Sequence, residues 1–208
     1  MKKLNFCLII LTFSVLALNA QSLKVGLRDN QFAQITFIGS KQWLLGYEQS
    51  LLNVKLKEQN CRLYSGYLYS NNCWDVEGIA YYGFEYDCSW QTYGFLTRGG
   101  YKWRCLSVIG ALLPHYDSGL GFDFCYQSDV VVSLWERHNS NEKVELVATY
   151  GNIPEYRMAV DNIRIGLKFQ SGNLWVKPLV YLPIINQETG AKYIRFLCSF
   201  EWIVNFGK

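Results

Sequence analysis

From Lys192 to Phe206 every second residue is apolar apart from the first, and the residues between are mostly polar. Ile194, Phe196, Cys198, Phe200, Trp202, Val204 and Phe206 fall on one side of such a segment, and Tyr193, Arg195, Ser199, Glu201 and Asn205 on the other. A period of two is the signature of a β-strand with one face in an apolar medium and one in a polar medium. The length suits a tilted strand crossing a bilayer, which takes about 9 to 11 residues.

The same alternation runs back through the chain. Along Trp74 to Asp87, the set Trp74, Val76, Gly78, Ala80, Tyr82, Phe84 and Tyr86 alternates with Asp75, Glu77 and Glu85. Along Thr92 to Trp103, Tyr93, Phe95, Tyr101 and Trp103 alternate with Arg98 and Lys102. Along Tyr156 to Phe169, Ile163, Ile165, Leu167 and Phe169 alternate with Arg164 and Lys168. Closing such strands into a barrel puts aromatics outside and charge inside, the polarity of a transmembrane barrel and the reverse of a soluble ligand-carrying one. The expected lumen charges are Asp75, Glu77, Glu85, Arg98, Lys102, Asp123, Arg164, Lys168, Arg195 and Glu201. On the closing strand Ile194, Phe196, Phe200, Trp202, Val204 and Phe206 are expected to face lipid.

Eight strands have usable boundaries: about Trp74–Asp87, Thr92–Lys102, Cys105–Leu113, Gly119–Arg137, Lys143–Tyr150, Tyr156–Phe169, Leu174–Ile185 and Ala191–Phe206. The stretch Ser22 to Ser70 holds four strands if Gly39–Lys41, Gln49–Leu51 and Glu58–Asn60 are turns, and two if one long strand runs through Glu58–Asn60. Both chain ends on the periplasmic side demand an even total. The expectation is an all-β, antiparallel, up-and-down barrel of 12 strands, with 10 as the alternative. Pro178 predicts a bulge, because proline in a paired strand loses a ladder hydrogen bond. If Cys88 to Gln91 is a four-residue loop, Glu77 stands opposite Lys102 and Val76 opposite Trp103.

Met1 to Ala20 reads as a secretory signal peptide, with Lys2 and Lys3 before the apolar stretch Leu4–Leu18 and a small-residue cleavage point at Asn19-Ala20. Residues 21–208 then form one barrel domain. Without Lys2 and Lys3 the formal charge falls from +3 to about +1, so nothing suggests a nucleic-acid partner. An aromatic content of 16% fits rings at both membrane interfaces. Cys61, Cys73, Cys88, Cys105, Cys125 and Cys198 remain after the leader, match no zinc spacing, and offer Cys61 and Cys88 as the one candidate disulfide. No cofactor and no catalytic set is expected.

The leader, the inverted alternation and the segment Phe200-Glu201-Trp202-Ile203-Val204-Asn205-Phe206 resemble the small outer-membrane β-barrel proteins of Gram-negative bacteria, over essentially the whole mature chain. The resemblance implies an outer-membrane location and the barrel assembly machinery and outer-membrane lipid as partners. Gly26-Leu-Arg-Asp-Asn-Gln31 has a weaker likeness to the start of barrels carried by conjugative transposons, implying a barrel component of a conjugative-transfer apparatus. Function is open, since the fold hosts many. A structural or surface-binding barrel with a side-chain-filled lumen, holding an extracellular ligand or protein by its loops, leads; a small-solute channel follows. Last comes a rim enzyme acting on lipid, built on His115 in the expected extracellular loop Pro114–Ser118, with Ser118 nearby. Ile153–Arg157 offers a loop suited to partner contact. His138 falls at the other end of the barrel and cannot share a site with His115.

Overall fold

The computed structural model describes residues 20–39, 42–51, 60–85, 90–152, 161–184 and 193–206. They form twelve strands: β1 (Ala20–Arg28), β2 (Phe32–Gly39), β3 (Trp43–Ser50), β4 (Asn60–Ser70), β5 (Trp74–Glu85), β6 (Gln91–Trp103), β7 (Leu106–Asp117), β8 (Gly121–Arg137), β9 (Glu142–Gly151), β10 (Asn162–Ser171), β11 (Leu174–Pro183) and β12 (Arg195–Asn205). Each pairs antiparallel with its sequence neighbours, and β1 pairs with β12, closing the barrel. A closed barrel leaves no free sheet edge, which a strand protein in lipid requires. The only helical turn among the described residues is the short 3-10 segment His138–Ser140. No described helix is long and apolar enough to cross a membrane.

The count of twelve is as expected, but the first strands are divided differently. The chain turns at Asp29–Gln31, inside what the alternation reads as one strand. Asp29 and Asn30 take positive φ (53° and 60°), a left-handed conformation that Asp and Asn tolerate better than other side-chain-bearing residues. Turns near Gly39–Lys41, Gln49–Leu51 and Glu58–Asn60 fit the strand ends at Gly39, Ser50 and Asn60. The strand expected between the last two lies outside the described residues, as do Cys88, Ile153–Arg157 and all of the leader but Ala20, which opens β1.

Three further expectations are corrected. The β5–β6 register sets Glu77 opposite Arg98 and Val76 opposite Gly99, four residues from the expected pairing. The connection is longer than assumed, with Phe84 opposite Gln91 as the last pair, and a shift of four leaves every side chain on its face. No register shift accompanies Pro178: Gly166↔Leu179 and Phe169↔Val176 lie in one register, and only the pairs between them are lost. Gly166 makes room there, since a Cβ on it would stand 2.0 Å from the Pro178 carbonyl oxygen. Finally, β7 continues through Pro114, His115 and Tyr116 to Asp117, so the expected loop is strand and the turn is Ser118–Leu120.

The two ends of the barrel differ. Connections at the end that holds Ala20 and Phe206 are two to four residues long, whereas those at the opposite end run from three to eleven. Short periplasmic turns and longer extracellular loops are the pattern of outer-membrane barrels, so the end with the short connections is the inner one. The outer wall carries two aromatic girdles: Tyr69, Trp74, Tyr101, Trp103, Trp135 and Trp202 at the inner end, and Tyr93, Tyr116, Phe122, Tyr150 and Phe196 at the outer end, all exposed. Exposed Leu112, Val130, Ile165 and Val180 lie between. That is an apolar band flanked by interface-seeking rings.

Candidate functional site: the charged lumen

Inward-facing positions carry the charge of this barrel, and many of them pair with one another, within a strand, between neighbouring strands or across the lumen. At the inner end Lys102 Nζ lies 2.6 Å from Asp75 Oδ2, and Arg98 Nη1 lies 3.3 Å from Glu77 Oε2. Glu145 receives Lys143 at 2.7 Å and Lys168 at 3.4 Å. Glu201 Oε1 sits 3.2 Å from Lys24 Nζ and accepts a hydrogen bond from Trp175 Nε1 at 3.1 Å. The basic groups here stay partly open to solvent, with 42% and 45% of the Arg98 and Lys102 side chains exposed, whereas Glu145 is buried.

The outer half is packed. Arg28 grips Glu48 with two bonds, Nε to Oε2 at 2.9 Å and Nη2 to Oε1 at 2.8 Å, and Arg62 Nη1 approaches the same carboxylate at 3.6 Å. The Arg28 guanidinium lies 4.4 Å from the centre of the buried Phe32 ring, and that of Arg62 lies 5.7 Å from it. Asp29 accepts a bond from Ser199 Oγ at 2.9 Å, and Arg164 Nη1 lies 4.0 Å away. Arg164 also donates to Gln127 Oε1 at 2.8 Å. Arg195 covers the Tyr181 ring at 4.5 Å. Beside these, Val147, Leu179, Tyr181 and Leu197 form an apolar cluster with Val131. Its members occupy the inward phase of their strands, on the faces that carry Glu145, Lys177 and Ser199. The lumen is therefore filled on one side in its outer half and open to solvent at its inner end.

Of the residues singled out from sequence, Asp75, Glu77, Arg98, Lys102, Arg164, Lys168 and Glu201 enter the ion pairs just described. Glu85 is buried at the outer end of β5, and Asp123 is exposed near the outer end of β8, opposite His115. On the closing strand Phe196, Phe200 and Trp202 are exposed, as are Ile194 and Phe206 beside it, and Val204 is half-buried. The sequence reading missed the Arg28–Asp29–Glu48–Arg62 group, because it ran a strand through the β1–β2 turn. The signal present was Lys24, Gly26 and Arg28 alternating with Leu23, Val25 and Leu27.

His115 is not in an exposed loop. It points inward from β7, 8% exposed, with Nδ1 3.4 Å from Leu113 O and 3.8 Å from Cys125 Sγ. Ser118 lies in the turn and its Oγ accepts a bond from Gln91 N. A nucleophile needs its base within hydrogen-bond reach, and the contacts of His115 are to Leu113 and Cys125 rather than to Ser118. The neighbouring rim is braced by Asp117, whose carboxylate accepts from Trp90 Nε1, Gly119 N and Leu120 N.

No protein-family model and no curated protein matches this chain. Among solved structures it is similar to a KdgM porin in complex with disordered oligogalacturonate, with a TM-score of 0.59 and 11% identity, over 87% of this chain and 96% of the other. It also aligns with a NanC porin over 90% of this chain and 99% of the other, with a TM-score of 0.48 and 11% identity. With the closed twelve-strand barrel, apolar belt and polar lumen, the first likeness defines the fold: a porin-like transmembrane β-barrel. At this identity the likeness is one of fold.

Proposed function

We propose that the barrel is a narrow, charge-lined passage for small hydrophilic solutes, reached after a leader of residues 1–20 is removed. One observation carries this reading: side chains of both signs line the lumen between its two ends, and those at the inner mouth are open to solvent. A barrel whose charges served only to plug it would bury them. Twelve strands also enclose more space than the eight that side chains just fill. The packed outer half is then the constriction. Near balance of positive and negative groups predicts weak ion selectivity. Oligosaccharides, the class named for the neighbouring porin, are the first solutes to test.

The packing around Glu48, Asp29 and Tyr181 supports a second reading, a closed barrel that binds partners by its loops. Planar-bilayer recording on the purified protein separates the two. Discrete single-channel steps, interrupted by oligogalacturonate or a neutral oligosaccharide, support the passage. Conductance indistinguishable from protein-free bilayers favours the closed barrel.

A further inference from the structure

His115, Asp123 and Cys125 present one ligand atom each, all within 4.8 Å of one another, on the inward face of the β7–β8 pair near the outer mouth. His115 and Asp123 stand directly opposite in the ladder, and Cys125 follows Asp123 by two residues, which puts its side chain on the same face. Nothing in the proposed passage uses these groups.

Two observations separate this cluster from an incidental grouping. The imidazole is buried, yet both of its polar contacts are at Nδ1 and both are long: 3.4 Å to Leu113 O and 3.8 Å to Cys125 Sγ. Nitrogen to oxygen hydrogen bonds cluster between about 2.7 and 3.2 Å, so among the described residues this buried ring lacks a good partner. Second, the spacing suits a metal. Zinc bonds of about 2.3 Å to sulfur and about 2.05 Å to nitrogen, at a tetrahedral angle, separate the two ligands by about 3.6 Å. The observed sulfur to nitrogen separation is within a few tenths of an ångström of that value. Cys125 is wholly buried and free of any disulfide.

We propose that His115 Nδ1, Cys125 Sγ and an Asp123 carboxylate oxygen form a three-ligand site for a borderline-soft divalent cation of the zinc type, with a fourth position facing the lumen. Nitrogen, thiolate and carboxylate together suit zinc and disfavour magnesium or calcium, which take all-oxygen shells. On binding, the cysteine thiol proton passes to solvent as the sulfur to metal bond forms. The turn braced by Asp117 holds both strands at the rim, so the ligands are placed by rigid elements. A cation there adds positive charge beside the constriction and gives the barrel a metal-responsive mouth.

Cobalt(II) titration of the refolded full-length barrel in detergent tests this. The expected result is one equivalent bound with a near-ultraviolet thiolate-to-cobalt band, displaced by zinc. Cys125→Ser abolishes the band, and Asp123→Asn, at an exposed position, weakens cobalt binding at least about tenfold, the lower end of what loss of even an outer-sphere partner costs a metal site. Heat-modifiable mobility on gels confirms folding, and the Asp123→Asn arm decides the matter if Cys125→Ser does not fold. A band that survives in Cys125→Ser assigns the metal to another cysteine and overturns the proposal. So does cobalt binding unchanged by Asp123→Asn, or no thiolate band in the folded wild-type protein.

Discussion

Phe200 and Glu201 are adjacent in sequence and live in different solvents. Phe200 lies at the middle of β12 with its ring exposed on the outer wall, opposite Leu27 and Val176. Replacing it with Arg places a cation in the apolar band and costs about 2 to 4 kcal/mol. Glu201→Gln keeps an acceptor for Trp175 Nε1 and loses only a partly exposed pair with Lys24, so its expected cost is below about 1 kcal/mol. Urea unfolding of the two variants in detergent or liposomes compares them. Glu48 is the opposite case, a buried carboxylate held by Arg28 with Arg62 beside it. Glu48→Ala leaves those guanidinium groups without it, and breaking a buried pair this way costs about 3 to 5 kcal/mol. The same unfolding measurement should rank it with Phe200→Arg, and an effect below about 1 kcal/mol would show that solvent reaches this group.

At the scale of strands, two connections deserve comparison. The β5–β6 hairpin pairs Glu77 with Arg98 and brings Lys102 to Asp75. A double-mutant cycle is therefore expected to find about 0.2 to 1 kcal/mol of coupling between Glu77 and Arg98, and none between Glu77 and Lys102. The β1–β2 turn does more than reverse the chain, because it ties the barrel shut. Asn30 donates from Nδ2 to Phe196 O and from its backbone to Cys198 O, while its Oδ1 accepts from Cys198 N. Asp29 N donates to Ser199 Oγ alongside. These bonds join the first turn to the last strand at the outer end of the closing seam. Asn30→Ala removes the side-chain clasp and a residue suited to positive φ, so a loss of about 1 to 3 kcal/mol is expected by the same unfolding assay.

For the molecule as a whole, the unequal connections fix the way it sits in the membrane. Cys73 and Cys105 are exposed at the short-turn end, the first beside Trp74 in sequence and the second two residues after Trp103. A membrane-impermeant maleimide should therefore leave both unlabelled on intact cells and label them once the outer membrane is opened. A tag inserted after Asn186, between β11 and β12, should be detected on intact cells. The reverse result would invert the barrel.

The alternation of apolar and charged residues determined, without any structure, that this chain is a barrel with lipid outside and charge inside. The physical reason is local: a strand has a period of two, so each side chain's face follows from its own parity. Parity also survives a shift of four residues, which is why the faces of β5 and β6 were legible while their partners were not. What parity cannot reach is decided by contacts between distant strands. The turn at Asp29–Gln31 lacks glycine or proline, and the apolar phase of Leu23, Val25 and Leu27 resumes in step at Ala33, Ile35 and Phe37, so the polar run Arg28–Gln31 reads as a break within one strand and its role shows only in the seam it closes with Phe196, Cys198 and Ser199. Likewise His115 reads as a loop residue after a proline. Only pairing with β8 draws it into the wall, opposite Asp123 and within reach of Cys125, because strand length in a barrel is set by the neighbouring strand and not by the strand's own residues.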